Sequence, residues 1–347
     1  MRILLTGHQG FIGAVAVPML IDAGHEVVGL DSGLFDECRF GSEEPPAVPA
    51  IRKDFRDVEP ADLEGFDAVL HLAALSNDPL GNIDGDLTYD INLDGSVRLA
   101  KFAKQVGVER FVFASSCSTY GAAGDDLLDE EADFNPVTPY GIAKVKAEQA
   151  FAQLADDDFS PTFMRNATAY GVSPRLRLDI VLNNLVAHAH TTGRVYMMSD
   201  GTPWRPIVHL RDIVAAMIAA AEAPREVVHN QAFNVCQTTE NYRIRELAEI
   251  VAEVVPGSRI EYAPDAGPDK RCYRVDCSKI AEMLPAFKPQ WNARQGAEEL
   301  YAAYKAAELT KEDVEGRRFI RLKHIKGLMD SGKLGTDLRW TTAPVAT

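Results

Sequence analysis

The segment Thr6-Gly7-His8-Gln9-Gly10-Phe11-Ile12-Gly13 constrains the fold of this chain more than any other feature. It follows a short apolar strand at residues 2–5 and precedes an apolar helix that extends to Ile21. Its three glycines permit a tight turn, a close approach of backbone to a pyrophosphate, and close packing of helix on strand. The N-terminus of the helix would then face the phosphates. The segment therefore predicts a dinucleotide-binding loop.

Short apolar runs alternate with helical patterns along the first half of the chain. Strands are predicted at residues 26–30, 68–73, 111–114 and 162–164, and helices at 92–105 and 140–154. Strands that alternate with helices form right-handed crossovers and a parallel sheet covered on both faces. The pattern predicts an α/β fold with a doubly wound parallel sheet over residues 1–165.

The pattern changes after Arg165, where segments shorten and loops appear at residues 171–177, 199–206 and 263–272. We expect residues 166–312 to form mainly a smaller, mixed α/β substrate lobe, with residues 205–236 returning to the first domain. Basic residues are frequent between Asp313 and Trp340, and residues 313–347 are expected to form a C-terminal helical appendage.

Composition restricts the possible partners. The chain has 347 residues, a formal net charge of -15 and a pI near 5.0, which disfavours nucleic acid and anionic membranes as partners. Its five cysteines show no metal-ligand spacing, so we expect reduced thiols, no metal site and a cytoplasmic location. The N-terminus becomes glycine-rich too early for a signal peptide, and no apolar run approaches membrane-spanning length.

Residues at the ends of the predicted strands are candidates for cofactor contacts. Asp31 ends the second strand, where a carboxylate can accept hydrogen bonds from the adenosine ribose and would repel a 2′-phosphate. This favours NAD over NADP, although Asp31 could also cap a turn. Asp54, next to Phe55, could contact the adenine or be a solvated turn residue. The small residues of Leu72-Ala73-Ala74 would let the backbone approach the cofactor.

Tyr140 and Lys144 lie four residues apart, so on a helix they share one face. Free tyrosine titrates near pH ~10, and a neighbouring cation lowers that pKa. The pair could therefore act as an acid/base device. By itself, however, this spacing is more typical of a solvated helix face.

The glycine loop, Asp31, Ser115-Ser116-Cys117-Ser118-Thr119-Tyr120-Gly121 and the Tyr140/Lys144 pair occur in an order that resembles the extended short-chain dehydrogenase/reductase family. Within it, the chain resembles the nucleotide-sugar epimerases and dehydratases, in particular the UDP-sugar 4-epimerases. The resemblance covers most of residues 1–300. It implies a Rossmann domain that binds NAD, a smaller lobe that binds a nucleotide-diphosphate sugar, and a homodimer through the helices near Asn92 and Tyr140.

The resemblance also implies roles for individual residues. Tyr140 would remove the hydroxyl proton of the sugar, Lys144 would lower the tyrosine pKa and bind the nicotinamide ribose, and Ser116 would position the hydroxyl. Asn92, expected to open a helix, would organise the site or merely cap that helix. Cofactor contacts are implied for Gly7, Gln9, Gly10, Phe11, Ile12, Gly13, Asp31, Asp54, Phe55, Leu72, Ala73, Ala74, Asn92, Ser115, Tyr140 and Lys144. Substrate contacts are implied for Asp78, Ser116, Cys117, Ser118, Thr168, Asn184, Leu185, Arg205 and Arg271.

Two departures concern substrate binding. Thr168 stands where similar chains usually have Asn, and Pro206 stands where an acidic residue is common. Arg205 and Arg271 remain sensible ligands for a diphosphate in an acidic protein, because guanidinium groups bind phosphate in a bidentate manner. A surface salt bridge is the alternative for each.

Cys117 and Ser118 limit the reactions that the resemblance allows. Resembling 4,6-dehydratases carry Asp and Glu at these two positions, and a hydroxyl cannot replace a carboxylic acid as a proton shuttle at neutral pH. Cys117 is more consistent with packing than with acid/base work. The course that remains is epimerisation at C4 through a transient 4-keto sugar, with NAD regenerated.

Other functions stay open. An NAD-dependent nucleotide-sugar dehydrogenase or 4-keto reductase would release its product after half the cycle, and a dehydratase is a further alternative. A non-catalytic NAD-binding protein on the same fold is less consistent with the sequence, because both Tyr140 and Lys144 are present.

Overall fold

The structure is a computed structural model that describes residues 1–42, 44–76, 84–267 and 271–341, so Asp78, a predicted substrate contact, lies outside the described residues. The strands are β1 (Arg2–Thr6), β2 (Glu26–Asp31), β3 (Ala50–Arg52), β4 (Ala68–His71), β5 (Arg110–Ser116), β6 (Ala122–Leu128), β7 (Ser160–Asn166), β8 (Thr168–Tyr170), β9 (Arg194–Ser199), β10 (Trp204–His209), β11 (Gln231–Val235), β12 (Asn241–Arg243), β13 (Arg259–Gly267) and β14 (Cys272–Val275). The α-helices are α1 (Gly13–Asp22), α2 (Gly85–Tyr89), α3 (Ser96–Gln105), α4 (Pro139–Ala152), α5 (Val181–Thr192), α6 (Leu210–Glu222), α7 (Arg225–Val228), α8 (Ile244–Val254), α9 (Ser278–Met283), α10 (Ala293–Ala306), α11 (Lys311–Glu315) and α12 (Arg321–Asp330).

A seven-stranded parallel sheet forms the centre of the molecule, in the order β11-β7-β5-β4-β1-β2-β3. Strand order progresses outward in opposite directions from β1, through β2 to β3 on one side and through β4 and β5 on the other. This is the doubly wound Rossmann topology, so the predicted fold class is confirmed. Ligands of such sheets bind in the crevice at the carboxyl ends of the strands beside the reversal point, which here lies between β1 and β4.

Alternate residues of the central strands face two different helical layers. In β1, Ile3 and Leu5 pack in the same apolar cluster as Val17 of α1 and Ile213 of α6. Leu4 points to the opposite face, into a cluster that includes Leu99 of α3 and Phe151 of α4. All three strand residues are fully buried. The layers on both faces explain the near-continuous apolar character of β1, because a parallel sheet covered on both sides has no polar face.

A late segment of the chain completes the sheet. Residues 231–235 form β11, which pairs with β7 in parallel register from Gln231 opposite Thr162 to Val235 opposite Asn166. Helix α6, which lies earlier in this segment, packs beside α1 in the same apolar layer.

A smaller region of mixed α/β structure covers one end of the sheet. Helices α5, α8 and α10 contribute Leu182, Val186, Leu247 and Leu300 to a third apolar cluster. Beside them lie the sheet β12-β10-β8 and the strand pair β13-β9.

The helix around Asn92 differs from the prediction. Residues 85–105 form one continuous helical stretch, in which Asp90–Gly95 make a π-helical turn between α2 and α3. Asn92 lies inside this turn, so the expectation that it opens a helix was wrong. The periodic pattern begins near Asn92, but the actual N-cap is Asp84, whose side chain accepts from Asp86 N and Leu87 N. Such π turns often occur at functional sites.

The C-terminal segment contains helix α12 and packs against the central sheet. Ile325, Leu328, Leu334 and Leu338 are buried in the same apolar cluster as Leu4 of β1. No helix within the described ranges is long and apolar enough to cross a membrane.

Candidate active site

A cavity of about 950 Å³ lies at the carboxyl ends of β1, β2, β4 and β5. This volume is near the upper end of the range for small-molecule sites. Predicted cofactor contacts that line it are Gly7, Gly10, Phe11, Ile12, Gly13, Asp31, Asp54, Phe55, Leu72, Ala73, Ala74, Ser115, Tyr140 and Lys144. Predicted substrate contacts that line it are Ser116, Ser118, Thr168, Asn184, Leu185, Arg205 and Arg271.

The glycine loop has the backbone that its residues were expected to permit. Gly7 has a φ of 74°, in the left-handed region that favours glycine. A Cβ on Gly13 would lie 2.1 Å from the carbonyl oxygen of Gly7, so only glycine fits there. Among the described residues no side chain caps the start of α1, and none of its first-turn residues is acidic. Its first N–H groups and its dipole are therefore suited to a phosphate.

Asp31 joins the glycine loop to the loop after β2. Its carboxylate accepts from Gln9 N at 3.0 Å and from Gly33 N at 2.8 Å. Burial raises the pKa of Asp31, while these two N–H donors oppose the rise. Gln9 itself does not line the cavity, because its side chain turns to Arg175, whose Nη2 donates to Gln9 Oε1 at 3.0 Å. The Gln9 side chain is therefore not part of the cavity wall, and its contact with the cofactor stays a prediction.

Asp54 lines the cavity but already holds a strong partner. It caps the turn at Phe55–Asp57 by accepting from Arg56 N, and it pairs with the Arg56 guanidinium at 2.7 Å. Arg56 Nη1 also pairs with Asp90 at 2.7 Å. Asp54 therefore fixes the loop beside the cavity, and any contact with an adenine would come in addition to these bonds.

His71 and Asn92 support the cavity from behind. Thr6 Oγ1 accepts from Leu72 N and Ala73 N, so its own proton points to His71 Nδ1 at 2.7 Å, and His71 Nε2 donates to Ser96 Oγ at 2.9 Å. Burial, followed by the nearby Lys144 charge, lowers the pKa of His71 to about 3, so the ring is neutral.

Asn92 is buried and does not line the cavity. Its amide accepts from Leu75 N at 2.8 Å and donates to Leu75 O at 3.0 Å. Both ends of the Asn92 amide bind the backbone of Leu75, so this side chain holds the chain after β4, and its contact with the cofactor stays a prediction.

Tyr140 and Lys144 occupy the first turns of α4. Thr138 caps this helix by accepting from Gly141 N at 3.2 Å, and Pro139 provides its first residue. Lys144 Nζ lies 5.8 Å from the Tyr140 ring centroid and 4.3 Å from the Phe113 ring centroid. It also donates to Ala114 O at 2.7 Å. Burial lowers the pKa of Lys144 to about 7, because desolvation disfavours the ammonium.

Glu148, one turn after Lys144, is a site-supporting residue that was not predicted. Its buried carboxylate accepts from Ser115 Oγ and pairs with Arg165 at 2.8 Å. Arg165 also donates to Tyr120 Oη at 3.0 Å. The spacing Tyr140, Lys144, Glu148 repeats every four residues and was a signal that could have revealed it.

Ser116 and Cys117 point in different directions at the end of β5. Ser116 Oγ accepts from Ser118 N at 3.1 Å, and both serines line the cavity. Cys117 is fully buried outside the cavity wall, where its thiol donates to Arg165 O at 3.0 Å and burial raises its pKa. The thiol therefore packs in the core, and a contact of Cys117 with the substrate stays a prediction.

Basic residues line the opposite end of the cavity. Arg205 of β10 is buried, and its Nη1 donates to Trp204 O at 2.8 Å and to the carbonyl oxygen of Arg271, so the two arginines are neighbours. Asn184 Nδ2 donates to Leu178 O at 2.8 Å. Arg177, which was not predicted, also lines the cavity and pairs with Asp179 at 2.9 Å.

Comparisons with known proteins agree with this arrangement. Residues 3–236 match the model of the NAD dependent epimerase/dehydratase family. The UDP-glucose 4-epimerase of Mycolicibacterium smegmatis is 30% identical over 311 residues, covering 85% of this chain and 96% of that protein. The UDP-glucuronic acid decarboxylase 1 of Arabidopsis thaliana is 28% identical over 339 residues, covering 91% of this chain and 72% of the relative.

A solved structure has a similar fold. MoeE5 in complex with UDP-glucuronic acid and NAD superposes with a TM-score of 0.77 at 27% identity, covering 88% of this chain and 100% of that chain. The chain is accordingly NAD-dependent, and the glycine loop, the uncapped start of α1 and Asp31 are features that fit this dinucleotide.

Proposed function

Because this chain belongs to the NAD dependent epimerase/dehydratase family, we propose that it is a 4-epimerase of a nucleotide-diphosphate sugar. UDP is the nucleotide that the names of its relatives favour. The observation that carries the proposal is the cavity wall around Tyr140, where Ser116 and Ser118 stand and the intervening Cys117 is turned into the core. In this arrangement Tyr140 can accept and return one proton. The described residues 116–118 next to it provide no carboxylic acid as a second proton donor.

Tyr140 is the proposed base and acid. As phenolate it takes the proton of the C4 hydroxyl, and as phenol it returns a proton after the sugar has turned over. The positive charge of Lys144 favours the phenolate form of Tyr140. Its ammonium also binds the hydroxyls of the nicotinamide ribose. Ser116 holds the reacting hydroxyl through its Oγ. When bound, NAD supplies the acceptor and then the donor of hydrogen at C4.

Elimination of water needs a carboxylic acid beside Tyr140, and the carboxylates in the described part of the cavity wall are held by other partners. Among the described lining residues, the carboxylates are Asp31, Asp54 and Asp179. Asp31 and Asp54 bind the loops after β2 and β3, and Asp179 pairs with Arg177. A dehydratase would need one of these beside Tyr140, so simple return of hydrogen to the opposite face of C4 fits better.

Arg205 and Arg271 are the proposed ligands of the diphosphate, with Asn184 and Leu185 of helix α5 above it and Thr168 beside the sugar. The two arginines are neighbours at the end of the cavity away from Asp31. Guanidinium groups bind phosphate oxygens in a bidentate manner, so two neighbouring arginines suit a diphosphate. The sugar would then lie between them and Tyr140.

We also propose a division into an NAD-binding domain (residues 1–165, to which residues 205–236 return), a substrate lobe (166–312) and a C-terminal segment (313–347). We further propose a homodimer through α3 and α4. The apolar residues Leu93, Val97, Phe102 and Ala150 line a shallow groove beside these helices together with the charged residues Asp94, Arg98 and Lys101, which suits a contact of mixed apolar and charged character. Light scattering tests this proposal, because a monomer in solution would contradict it.

The test of the function is incubation with UDP-, GDP-, CDP- and dTDP-sugars, with products separated by chromatography and identified by NMR. A 4-epimer formed without accumulation of NADH is the expected product. Net NADH formation would instead indicate a dehydrogenase, loss of water a dehydratase, and release of CO₂ from UDP-glucuronic acid a decarboxylase.

A further inference from the structure

We propose that residues 320–341, which we name the C-terminal clasp, form part of the NAD site and hold its adenosine diphosphate half, with Arg321 as a phosphate ligand. The family model ends at residue 236, so it assigns nothing to this segment. The proposal concerns the cofactor alone and does not depend on which sugar reaction follows.

The clasp is anchored to the nucleotide-binding half of the sheet. Ile325, Leu328, Leu334 and Leu338 are at most 4% exposed and share an apolar cluster with Leu30 of β2. Burial of these side chains holds the segment against the sheet in the absence of any ligand. The clasp is therefore a permanent part of the packed structure beside β2.

Polar contacts attach the clasp to the loop that follows Asp31. Trp340 Nε1 donates to Ser32 O at 2.7 Å, and His324 Nε2 donates to Leu34 O at 2.9 Å. Asp31 is expected to bind the adenosine ribose. The clasp is therefore hydrogen-bonded to the loop that directly follows this residue.

A second attachment reaches the turn after β3. Arg56, already paired with Asp54, donates through Nη2 to Asp337 O at 2.9 Å, and Arg339 pairs with Asp57. The clasp thus bridges the loops after β2 and β3, which flank the adenosine end of a Rossmann site.

Clasp residues form part of the cavity surface. Ile320, Arg321, Leu322 and Leu338 line the same cavity as Asp31. Leu338 has a φ of 59°, a conformation that non-glycine residues adopt rarely, and it is 1% exposed. Strained backbone of this kind concentrates at ligand sites, where surrounding contacts hold it in place.

Arg321 supplies the feature that points to a phosphate. It is 1% exposed, its Nη2 donates to Arg175 O at 2.8 Å, and its guanidinium lies 4.3 Å from the Phe35 ring centroid. Its Nη1 is buried without a hydrogen-bond partner among the described residues. A buried donor left in this state is costly, unless a ligand satisfies it.

Charge around Arg321 strengthens this inference. Arg175 pairs with Glu44 and Arg177 pairs with Asp179, but no carboxylate in the described ranges forms an ion pair with Arg321. Burial lowers the pKa of Arg321 to about 10, so the group remains cationic at neutral pH. An uncompensated cation that lines a dinucleotide cavity favours an anionic phosphate oxygen.

The test measures NAD and ADP-ribose affinity of nucleotide-stripped protein by calorimetry, for wild type, Arg321→Lys and Trp340→Phe. The matched control is Arg318→Lys, because Arg318 lies just before the clasp, is half exposed and is outside the cavity wall. UDP affinity is measured in parallel, since UDP occupies the opposite end of the cavity.

We expect Kd for NAD and ADP-ribose to rise about tenfold or more in Arg321→Lys, as a charge-assisted bond is lost. Trp340→Phe, which keeps the ring and removes the bond to Ser32, should weaken both by a smaller factor. Unchanged UDP affinity and an unchanged control complete the expected result. Unchanged NAD affinity in Arg321→Lys, or an equal loss of UDP and NAD affinity, would overturn the proposal.

Discussion

The ammonium of Lys144 donates to the carbonyl oxygen of Ala114 at 2.7 Å, inside a pocket closed by the Phe113 ring. This contact fixes the cation between the end of β5 and the helix that carries Tyr140. Burial lowers its pKa to about 7, whereas the unfolded chain would titrate near the ordinary value of 10.5. The site therefore holds a cation at a cost in stability, which gives a first prediction.

The stability of the NAD-free protein should depend on pH through Lys144. Below about pH 7 the lysine is charged in both states and folding bears the full cost of burying the charge. Between pH 7 and 10.5 the unfolded chain binds more protons than the folded one, so this contribution rises with pH. Denaturant unfolding of wild type and Lys144→Met tests it. The wild type should gain stability relative to the variant from pH 7 to 10, and a constant difference would refute the burial effect.

Replacing Tyr140 should remove catalysis while leaving the cofactor bound. Tyr140→Phe retains the ring but loses the group that moves the proton, so kcat should fall by roughly 10²–10⁴-fold. Turnover and NAD content are measured together. Tyr262→Phe is the control, because Tyr262 is 49% exposed and outside the cavity wall. Activity of Tyr140→Phe near the wild-type level would exclude Tyr140 as the base.

Ser116 and Cys117, although adjacent, should respond differently to substitution by alanine. Ser116→Ala should lower kcat with little change in melting temperature, because its hydroxyl faces the cavity. Cys117→Ala should lower the melting temperature and leave KM unchanged, since its thiol is fully buried. Steady-state kinetics and calorimetric melting provide both readouts. A raised KM in a stable Cys117→Ala protein would place the thiol in the site after all.

Breaking the Glu148–Arg165 pair should destabilise the fold strongly. Both residues are at most 5% exposed, and their shortest contact is 2.8 Å. Glu148→Gln leaves the Arg165 charge buried without its counter-ion, which typically costs about 3–5 kcal/mol. Urea unfolding measures the loss. Glu109→Gln is the matched control, because the side chain of Glu109 is half exposed. A loss below 1 kcal/mol for Glu148→Gln would mean that solvent reaches this pair.

Gly13→Ala should abolish tight NAD binding, because the new Cβ would lie 2.1 Å from Gly7 O and the loop must open. Gly85→Ala is a suitable control, since its nearest neighbour is an ordinary contact at 3.9 Å. Calorimetric titration with NAD compares the two variants. Equal affinities would show that the loop tolerates a side chain at Gly13.

The predicted site residues that line the cavity together are related by short local spacings. The glycine loop, Asp31 and the Tyr140/Lys144 pair are each encoded within one turn or one strand end, and their positions follow from backbone geometry. The direction of Cys117 was less accessible, because it depends on the neighbouring strand β7. Arg165 on that strand supplies the carbonyl that the thiol binds.

Features that depend on distant parts of the chain were missed. The start of the helix before Asn92 was misplaced, since a π turn interrupts the period that reveals helices. Arg321 and Leu338 enter the cavity from a segment about 300 residues after the glycine loop, and no spacing rule relates them to it.

The decisive measurement follows the hydrogen at C4. UDP-glucose deuterated at C4 is incubated with the enzyme in ordinary water, and the recovered UDP-sugars are analysed by NMR and mass spectrometry. Redox-only epimerisation through Tyr140 predicts UDP-galactose that retains deuterium at C4, with no exchange at C3 or C5. Deuterium lost to solvent or carried away on released NADH, or a product that has lost water, would contradict it.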